Sequence, residues 1–433
     1  MNKEQLKLKT LKTIDENRDR IISIANKIFS NPELGFKEHK TSELVKLIFN
    51  ELNIEFEDNI AITGVKGTAK GKSDKIKVAI LGELDAVVCP LHPHADDLTG
   101  AAHSCGHHAQ ITTMLGAAMG LVLSDVISQL DGDVTFIAVP AEEYVELEYR
   151  QKLKQEGKIE FFGGKQELIR LGTFDDIDMG MMVHSHAQVE DKKILTFCDS
   201  SGFVGKVIQY TGKEAHAGAV PHLGVNALNA AMLGIMGIHA QRETFKESDR
   251  IRIHPIMTKG GDMVNIVPAD VHMETYVRGR NMEAVLDASH KVNRALKAGA
   301  DAIGAEVEIK EIPGYLPLVQ NKELNELISD NATKLIGEEN VLKGYELMGA
   351  TDAGDISSII PFIHLSSGGY KGVAHSKDFE VCDEDAAYII PAKSMAMSII
   401  DLLYDDAELA TKIIENHVPL YTKETYLDIW KEL

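Results

Sequence analysis

Between residues 92 and 108 the chain places five imidazoles: His92, His94, His103, His107 and His108. That density invites a metal. In HSCGHHAQ, Cys105 precedes His107 by two positions, just ahead of a helix expected from about residue 109. A helix N-terminus lowers a thiol's pKa, and a nearby divalent cation deprotonates it outright. Thiolate with imidazole is a favoured donor set for zinc-like ions. The same residues also read as a helix-capping loop with polar histidines. VPAEEY sets Glu142 and Glu143 at the C-terminal end of a strand, where open α/β sheets place their sites. Adjacent residues of an extended segment face opposite sides. One acid can therefore ligate a cation while the other holds a water, although an isolated acidic pair is more often two solvated loop residues. MMVHSHAQ puts His184 and His186 at another strand tip, and GVAHSKDFEV carries His375 beyond the SSGGYKG turn. Each alone is more often structural. Together the four places supply a thiol, three imidazoles and a carboxylate, with one glutamate spare. That inventory fits two divalent cations sharing a bridging ligand, beside an unligated acid that acts as general base. His239, His254, His290, His364 and His417 read as ordinary structure.

The elements that must position these residues follow from periodicity. Residues 11–56 read as helices, with Ile21, Ile24 and Ile28, then Leu44, Leu47, Ile48 and Leu52, at helical spacing. Residues 62–70 read as a strand. KVAILGELDA is a continuous apolar run, as in a strand buried on both faces. A loop rich in Pro, His and Asp follows over 86–104. Residues 109–126 are apolar nearly all round, as in a helix inside a two-sided core. VTFIAVPAEE and IDMGMMVHSH are again strands ending in polar tips. This alternation is the α/β signature.

The pattern then changes. Strands are expected at 202–211, 250–257, 270–279 and 305–311, with helices at 222–241 and 281–300. The order βαββαβ describes a small split-βαβ sandwich. In VHMETYVRG, Val271, Met273, Thr275 and Val277 share one face, and His272, Glu274, Tyr276 and Arg278 the other. Afterwards the first pattern resumes: a helix over 322–336, the strand PFIHLSS and a helix near 386–404. The fold expected is α/β, a mixed-sheet catalytic domain over 1–197 and 314–433, with an inserted α+β domain over 198–313.

Composition narrows the function. Lys plus Arg number 45 against 66 Asp plus Glu, a net charge of −21 over 433 residues. A chain this acidic repels phosphate backbones and shows no basic stripe, so nucleic acid is excluded as the expected partner. The N-terminus is polar, and no stretch has 18 uninterrupted apolar residues, so neither a membrane span nor a secretory signal is expected. Cys89, Cys105, Cys198 and Cys382 form no CxxC pair, so free thiols or metal ligands in the cytoplasm are expected rather than a disulfide frame.

Taken in order, NPELGFKEHKTS, GELDA, SCGHHAQITTMLGAA, VPAEE, FGGKQELIRLGTFDDIDMGMMVH, HAGAVPHLGVNALNAA, GGDMVNIVPADVHMETYVRG and TDAGDISSIIP resemble the metallo-aminoacylase/carboxypeptidase family, peptidase clan MH. The likeness spans nearly the whole chain. Within the clan it is to the amidohydrolase branch of auxin-conjugate hydrolases, N-acyl-amino-acid deacylases and aminobenzoyl-glutamate hydrolase. GELDA, the GGK segment and TDAGDIS point to the last group and to dipeptidases. The resemblance implies a zinc-peptidase-like catalytic domain and a ferredoxin-like lid and dimerisation domain. It makes Cys105 a bridging ligand, with His107 and His184 completing one metal and Glu143 and His375 the other. Glu142 becomes the general acid/base. His216 matches a lid histidine that reaches a partner subunit's substrate, although spacing alone reads it as a turn residue before Pro221. Asn265 and Arg278 match positions that bind the substrate carboxylate.

Three departures stand out. His108 replaces the branch's usual Asp or Asn, so either His107 or His108 could ligate. Glu83 stands where the wider clan has a metal-binding His, which leaves Asp85 in a supporting position behind the ligands. Residues 144–162 are charged and helix-prone where relatives are often Gly-rich, which could cover the cleft.

The expected function is a dinuclear amidohydrolase using two zinc or manganese ions. It would act as a homodimer on N-acyl or N-aroyl amino acids. The alternatives are a strict metallodipeptidase, and a non-catalytic metal-binding or assembly protein.

Overall fold

The computed structural model describes residues 1–187, 193–344 and 349–431. The chain divides into two compact units. The first comprises Met1–Asp199, Val319–Glu346 and Asp355–Tyr426, and the second is mainly Ser200–Leu318. In chain order the strands of the main sheet are β1 (Glu55–Ile60), β2 (Gly64–Ala69), β3 (Lys77–Glu83), β4 (Asp133–Val139), β5 (Met179–Ser185) and β6 (Ile194–Thr196). The second unit contributes β7 (Gly202–Thr211), β8 (Arg252–Ile253), β9 (Ile256–Lys259), β10 (Asp270–Gly279) and β11 (Glu306–Ile312). The first unit resumes with β12 (Val341–Lys343) and β13 (Phe362–Ser367). The helices that matter to the site are α1 (Lys3–Glu16), α2 (Arg18–Phe29), α3 (His107–Leu123), α4 (Leu147–Gln155), α5 (Gly164–Leu171), α6 (Ala227–Ala240), α7 (Met282–Ile303) and α8 (Ile390–Leu403).

The first unit's sheet runs β1-β2-β4-β3-β5-β13-β6-β12. It is mixed. β3 lies parallel to both β4 and β5, and β5 parallel to β13, while β2 meets β4 antiparallel. Parallel strands are covered on both faces, and β3 is buried from Val78 to Glu83 as its apolar run requires. Helix α3 is buried along His107–Leu121, packed between β3 and the helices α1, α2 and α8. Glycines let it come close: a Cβ at Gly82 would lie 2.9 Å from the Ile111 nitrogen, and one at Gly120 would lie 2.5 Å from Ile14. The stretch Asp385–Leu403 is long and apolar enough to cross a membrane, but 89% of it is buried inside the fold, as in a core helix.

The second unit is the expected split-βαβ sandwich: β7, α6, β8 with β9, β10, α7, β11. Its antiparallel sheet runs β8-β10-β7-β11, with β9 also on β10. β10 alternates as its sequence does, with Val271, Met273, Thr275 and Val277 buried. The single strand expected at 250–257 is instead two, broken at His254–Pro255, because proline has no N–H to give the ladder. Residues 55 and 56, at the end of the expected helical stretch, belong instead to β1, which pairs with β2.

Candidate metal centre

Parallel central strands bring their C-terminal ends to one edge, and the chemistry collects there. Glu83 ends β3 and pairs in register with Val139, which ends β4; Leu81 pairs with Met182, two residues before His184 on β5. The chain leaves β4 through Pro140 to Glu142 and Glu143. Cys105 and His107 flank Gly106, whose φ of 84° no L-residue adopts easily, and whose Cβ would strike Ser185 at 2.5 Å. The Cys-Gly-His order is thus a steric need of the turn that opens α3. His375 sits at φ 63° and donates its backbone N–H to the Ser104 carbonyl at 2.9 Å, which pins it beside the same turn.

The ligand atoms converge. Cys105 Sγ lies 3.5 Å from His184 Nε2 and 3.2 Å from His375 Nε2, and His375 Nε2 lies 3.0 Å from Glu143 Oε1. Two donor groups result, Cys105–His107–His184 and Cys105–Glu143–His375, each with its ligand atoms within 4.8 Å of one another. Cys105 belongs to both. A third group, Glu83–His107–Glu142, meets the same spacing, with Glu142 Oε2 3.8 Å from His107 Nε2.

Tautomers are set from behind. His107 Nδ1 lies 3.0 Å from both the Asp85 carboxylate and the Asp85 carbonyl, and His184 Nδ1 lies 2.9 Å from the Ser185 carbonyl. Acceptors at Nδ1 hold its proton there and leave each Nε2 facing the cluster, the usual second contact of a metal-ligating histidine. His107 Nε2 is buried and faces the Glu83 and Glu142 carboxylates. Asp85 also accepts the Glu143 backbone N–H at 2.9 Å, so it ties the two donor groups together. His108 turns elsewhere: its Nε2 lies 3.2 Å from the Tyr388 hydroxyl and its ring packs on Phe29. Burial brings its pKa down to about 3. His186 falls in none of these groups, and burial lowers its pKa to about 4.

Electrostatics ionises the thiol and the carboxylate and favours protonated imidazoles beside them. Burial and Glu143 oppose ionisation of Cys105, but His107 and His184 bring the thiol down to about 6. Hydrogen bonds to Cys105 and then to Glu143 push His375 up to about 11, against the pull of burial. Burial opposes ionisation of Glu143, and its bond to His375 nonetheless holds it below the usual carboxylate range. Burial lowers His107, but Glu83, Cys105 and Asp85 raise it well above the usual imidazole range. A divalent cation would replace the protons now shared among these groups. The donor set of soft thiolate, imidazole and carboxylate suits a zinc-like ion.

Sequence reasoning missed how much Glu83 does here. It is fully buried, accepts from Gln110 at 2.6 Å, lies 3.1 Å from His107 Nε2 and is hydrogen-bonded to the equally buried Lys165. Burial opposes its ionisation, but Lys165 and His107 hold it far below the usual carboxylate range. The GGK segment explains itself at this point. A Cβ on Gly164 would lie 1.6 Å from the Pro140 carbonyl, so only glycine lets α5 start against the β4 tip and deliver Lys165 to Glu83. A carboxylate ending a buried strand was the available signal, since such a group needs a buried cation.

The second unit holds the remaining candidates. His216 and Asn265 are exposed and meet across a bridge: His216 pairs with Ile266, and Ala217 donates to the Asn265 carbonyl at 2.9 Å. His216 Nδ1 accepts the N–H groups of Gly218 at 3.2 Å and Ala219 at 3.1 Å, which leaves the neutral ring's proton on Nε2. Arg278 lies over Phe203 and Tyr276 at 5.3 and 5.6 Å, and it forms no ion pair among the described residues. Burial lowers its pKa.

Known proteins match the chain in sequence and in fold. The sequence pattern of peptidase family M20/M25/M40 covers residues 79–396. Xaa-Arg dipeptidase from Mus musculus is 28% identical over 94% of this chain and 91% of its own length. IAA-amino acid hydrolase ILR1-like 4 from Arabidopsis thaliana is 25% identical over 88% and 86%. The fold is that of a dinuclear metal-binding peptidase of the M20 family from Bacillus subtilis, with a TM-score of 0.70 at 22% identity over 90% of this chain and 99% of that one. With more than half its length matched by the family pattern, the chain belongs to peptidase family M20/M25/M40 and is a hydrolase acting on amide bonds.

Proposed function

We propose that the protein is a dinuclear, metal-dependent amidohydrolase that releases the amino acid from an N-acyl or N-aroyl amino acid. The observation that carries this reading is Cys105 standing in two donor groups at once. His107 and His184 would complete one divalent site, Glu143 and His375 the other, with zinc or manganese as the ions. Bound there, two cations would polarise an amide carbonyl and acidify a water. Asp85 keeps His107 in the ligating tautomer and Glu143 in place. Glu142 stands beside His107 outside both Cys105 groups, placed to take the water's proton and return it to the leaving amine.

In the second unit, His216 would offer Nε2–H to the carbonyl oxygen as it gains charge, and Asn265 and Arg278 would hold the substrate carboxylate. Arg278 suits this role because a guanidinium without an acid partner binds carboxylates in a fork. A homodimer joined through the second unit would let His216 serve the partner subunit's substrate. Exposed Met232, Leu233 and Met236 on α6, with Ile256 on β9, support such a joint. The described cysteines form no disulfide with one another, in keeping with the cytoplasm as the proposed compartment. A strict dipeptidase is the second reading, favoured by the mouse relative's name.

Elemental analysis and a screen of N-acyl amino acids against dipeptides, each with zinc, manganese and cobalt, test the proposal together. Two ions per chain and turnover of substrates lacking a free α-amino group are expected. Saturation at one ion sinks the dinuclear centre. Turnover only of substrates with a free amino group makes the enzyme a dipeptidase.

A further inference from the structure

The loop that carries Glu142 and Glu143 is unusual in what holds it. Ala141 and Glu146 both sit near φ 52°, a left-handed conformation that is costly for an L-residue. Something must over-determine a segment strained at both ends. Part of the answer is Glu38, buried, which accepts the Ala141 N–H at 2.8 Å. The larger part is Arg150, on helix α4 of the charged 144–162 segment.

Arg150 is 1% exposed and forms no ion pair among the described residues, and its Nε has no hydrogen-bond partner among them. Its guanidinium donates to the carbonyls of Glu143 and Phe162, with the Ala141 carbonyl 3.5 Å away. It lies 5.4 Å from the Phe36 ring centre and 6.0 Å from that of Tyr144. Gly35 makes the room: a Cβ there would meet Arg150 Nη2 at 2.6 Å and the Ala141 Cα at 2.9 Å. A buried cation is expensive unless its hydrogen bonds are well made. Here they go to main-chain carbonyls on both sides of the two catalytic candidates, a task suited to a planar fork of donors and not to a point charge.

We infer that Arg150 is a positioning residue for Glu142 and Glu143. It clamps the main chain at 141–143 so that Glu143 faces Cys105 and His375 while Glu142 faces His107. The 144–162 segment is then the buttress of the β4 tip. This rests on the reading that both glutamates serve the metal centre.

The test compares Arg150→Ala, Arg150→Lys and, as a control on the exposed side of the same helix, Lys152→Ala. Zinc affinity is measured by chelator competition, which needs no substrate, and kcat and KM by turnover of an N-acyl amino acid. Loss of a supporting partner of this kind lowers metal affinity or activity by about 10–100-fold. Arg150→Ala should show that loss in zinc affinity and in kcat more than KM. Millimolar guanidinium should restore much of both, and Lys152→Ala should match wild type. Arg150→Lys should remain impaired, because an ammonium cannot hold separated carbonyls in one plane. Wild-type zinc affinity and kcat in Arg150→Ala, or a loss that guanidinium leaves untouched, overturns the assignment. If the Ala variant does not fold, a folded Arg150→Lys with wild-type zinc affinity and kcat overturns it equally. If wild type binds two zinc ions but turns over no acyl amino acid, the proposed substrate fails and the zinc measurements still judge Arg150.

Discussion

The two units place their candidate residues in opposite physical settings. In the first, Cys105, His107, Glu83 and Lys165 are buried, and each is held by partners already in place. In the second, His216 and Asn265 are exposed on loops, and Arg278 rests on aromatic rings with no acid paired to it among the described residues. A charge centre in a dry setting must be satisfied before anything binds, or burial would neutralise it. Residues that meet a passing ligand must instead keep their hydrogen-bonding capacity open. On the proposed function, the contrast separates where the reaction would be set up from where substrate would be gripped, and each setting can be attacked on its own.

The largest expected effect is in the first unit. Glu142→Gln keeps the volume and removes the base, and it should lower kcat by about 10²–10⁴-fold, the usual worth of general acid–base catalysis. Metal content should be unchanged, since Glu142 lies outside both groups that share Cys105. Elemental analysis beside steady-state kinetics checks both. A variant that keeps its activity and loses metal would show that the roles of Glu142 and Glu143 are reversed.

In the second unit the expected effect is smaller. Loss of one hydrogen-bond donor to a developing oxyanion costs about 10²–10³-fold in kcat. His216→Ala should fall in that range, with thermal stability near wild type because the ring is exposed. Mixing His216→Ala subunits with Glu142→Gln subunits sharpens the test. If His216 acts across a dimer, one site of each mixed dimer carries both defects and the other none, and about half of wild-type activity returns. If it acts within its own chain, every site carries one defect and nothing returns. No recovery, with heterodimers verified by mass, removes the shared site.

Much of this contrast was legible in the sequence, for physical reasons. A strand buried on both faces has to be a continuous apolar run, so β3 and its polar tip could be placed, and an alternating strand such as β10 reveals its two faces. That Cys105, His107 and His184 come together was legible because a thiol and imidazoles fell at a helix start and at a strand tip. Lys165 and Arg150 were not. Lys165 lies 82 positions from Glu83, and Arg150 grips main-chain carbonyls that any sequence would offer. Long-range pairing and contacts to backbone leave no local pattern. The choice between His107 and His108 was likewise open, because adjacent helical residues differ only in direction. The fold turns His107 to Asp85 and Cys105 and turns His108 to Tyr388. The β8–β9 break at Pro255 had a local signal, the missing N–H, that a run of β-favouring residues masked.

The smallest effect is a proton count, and it bears on whether the first unit's centre is charged before metal arrives. In the metal-free protein the Cys105 thiol is lowered to about 6, while an ordinary cysteine titrates near 8.5. An acid with a depressed folded-state pKa contributes stability above its unfolded value, and that contribution fades as pH falls through the folded value. The Cys105 contribution is therefore fully present above the ordinary thiol range and lost as pH drops through about 6. His375 has the opposite sign. Raised to about 11, it contributes most below the ordinary imidazole range near 6.5 and loses its contribution as pH rises through about 11. Between the two, thiolate and imidazolium coexist as a pair. Ultraviolet titration of the thiolate, metal-free wild type minus metal-free Cys105→Ala, should show a midpoint near 6. His375→Ala should move that midpoint upward, because it removes the imidazolium that bonds Cys105 Sγ at 3.2 Å. A wild-type midpoint near the ordinary thiol value, unmoved by His375→Ala, would mean that the centre is charged only by its metals. The contrast between a pre-charged first unit and an open second unit would then fail at its most buried residue.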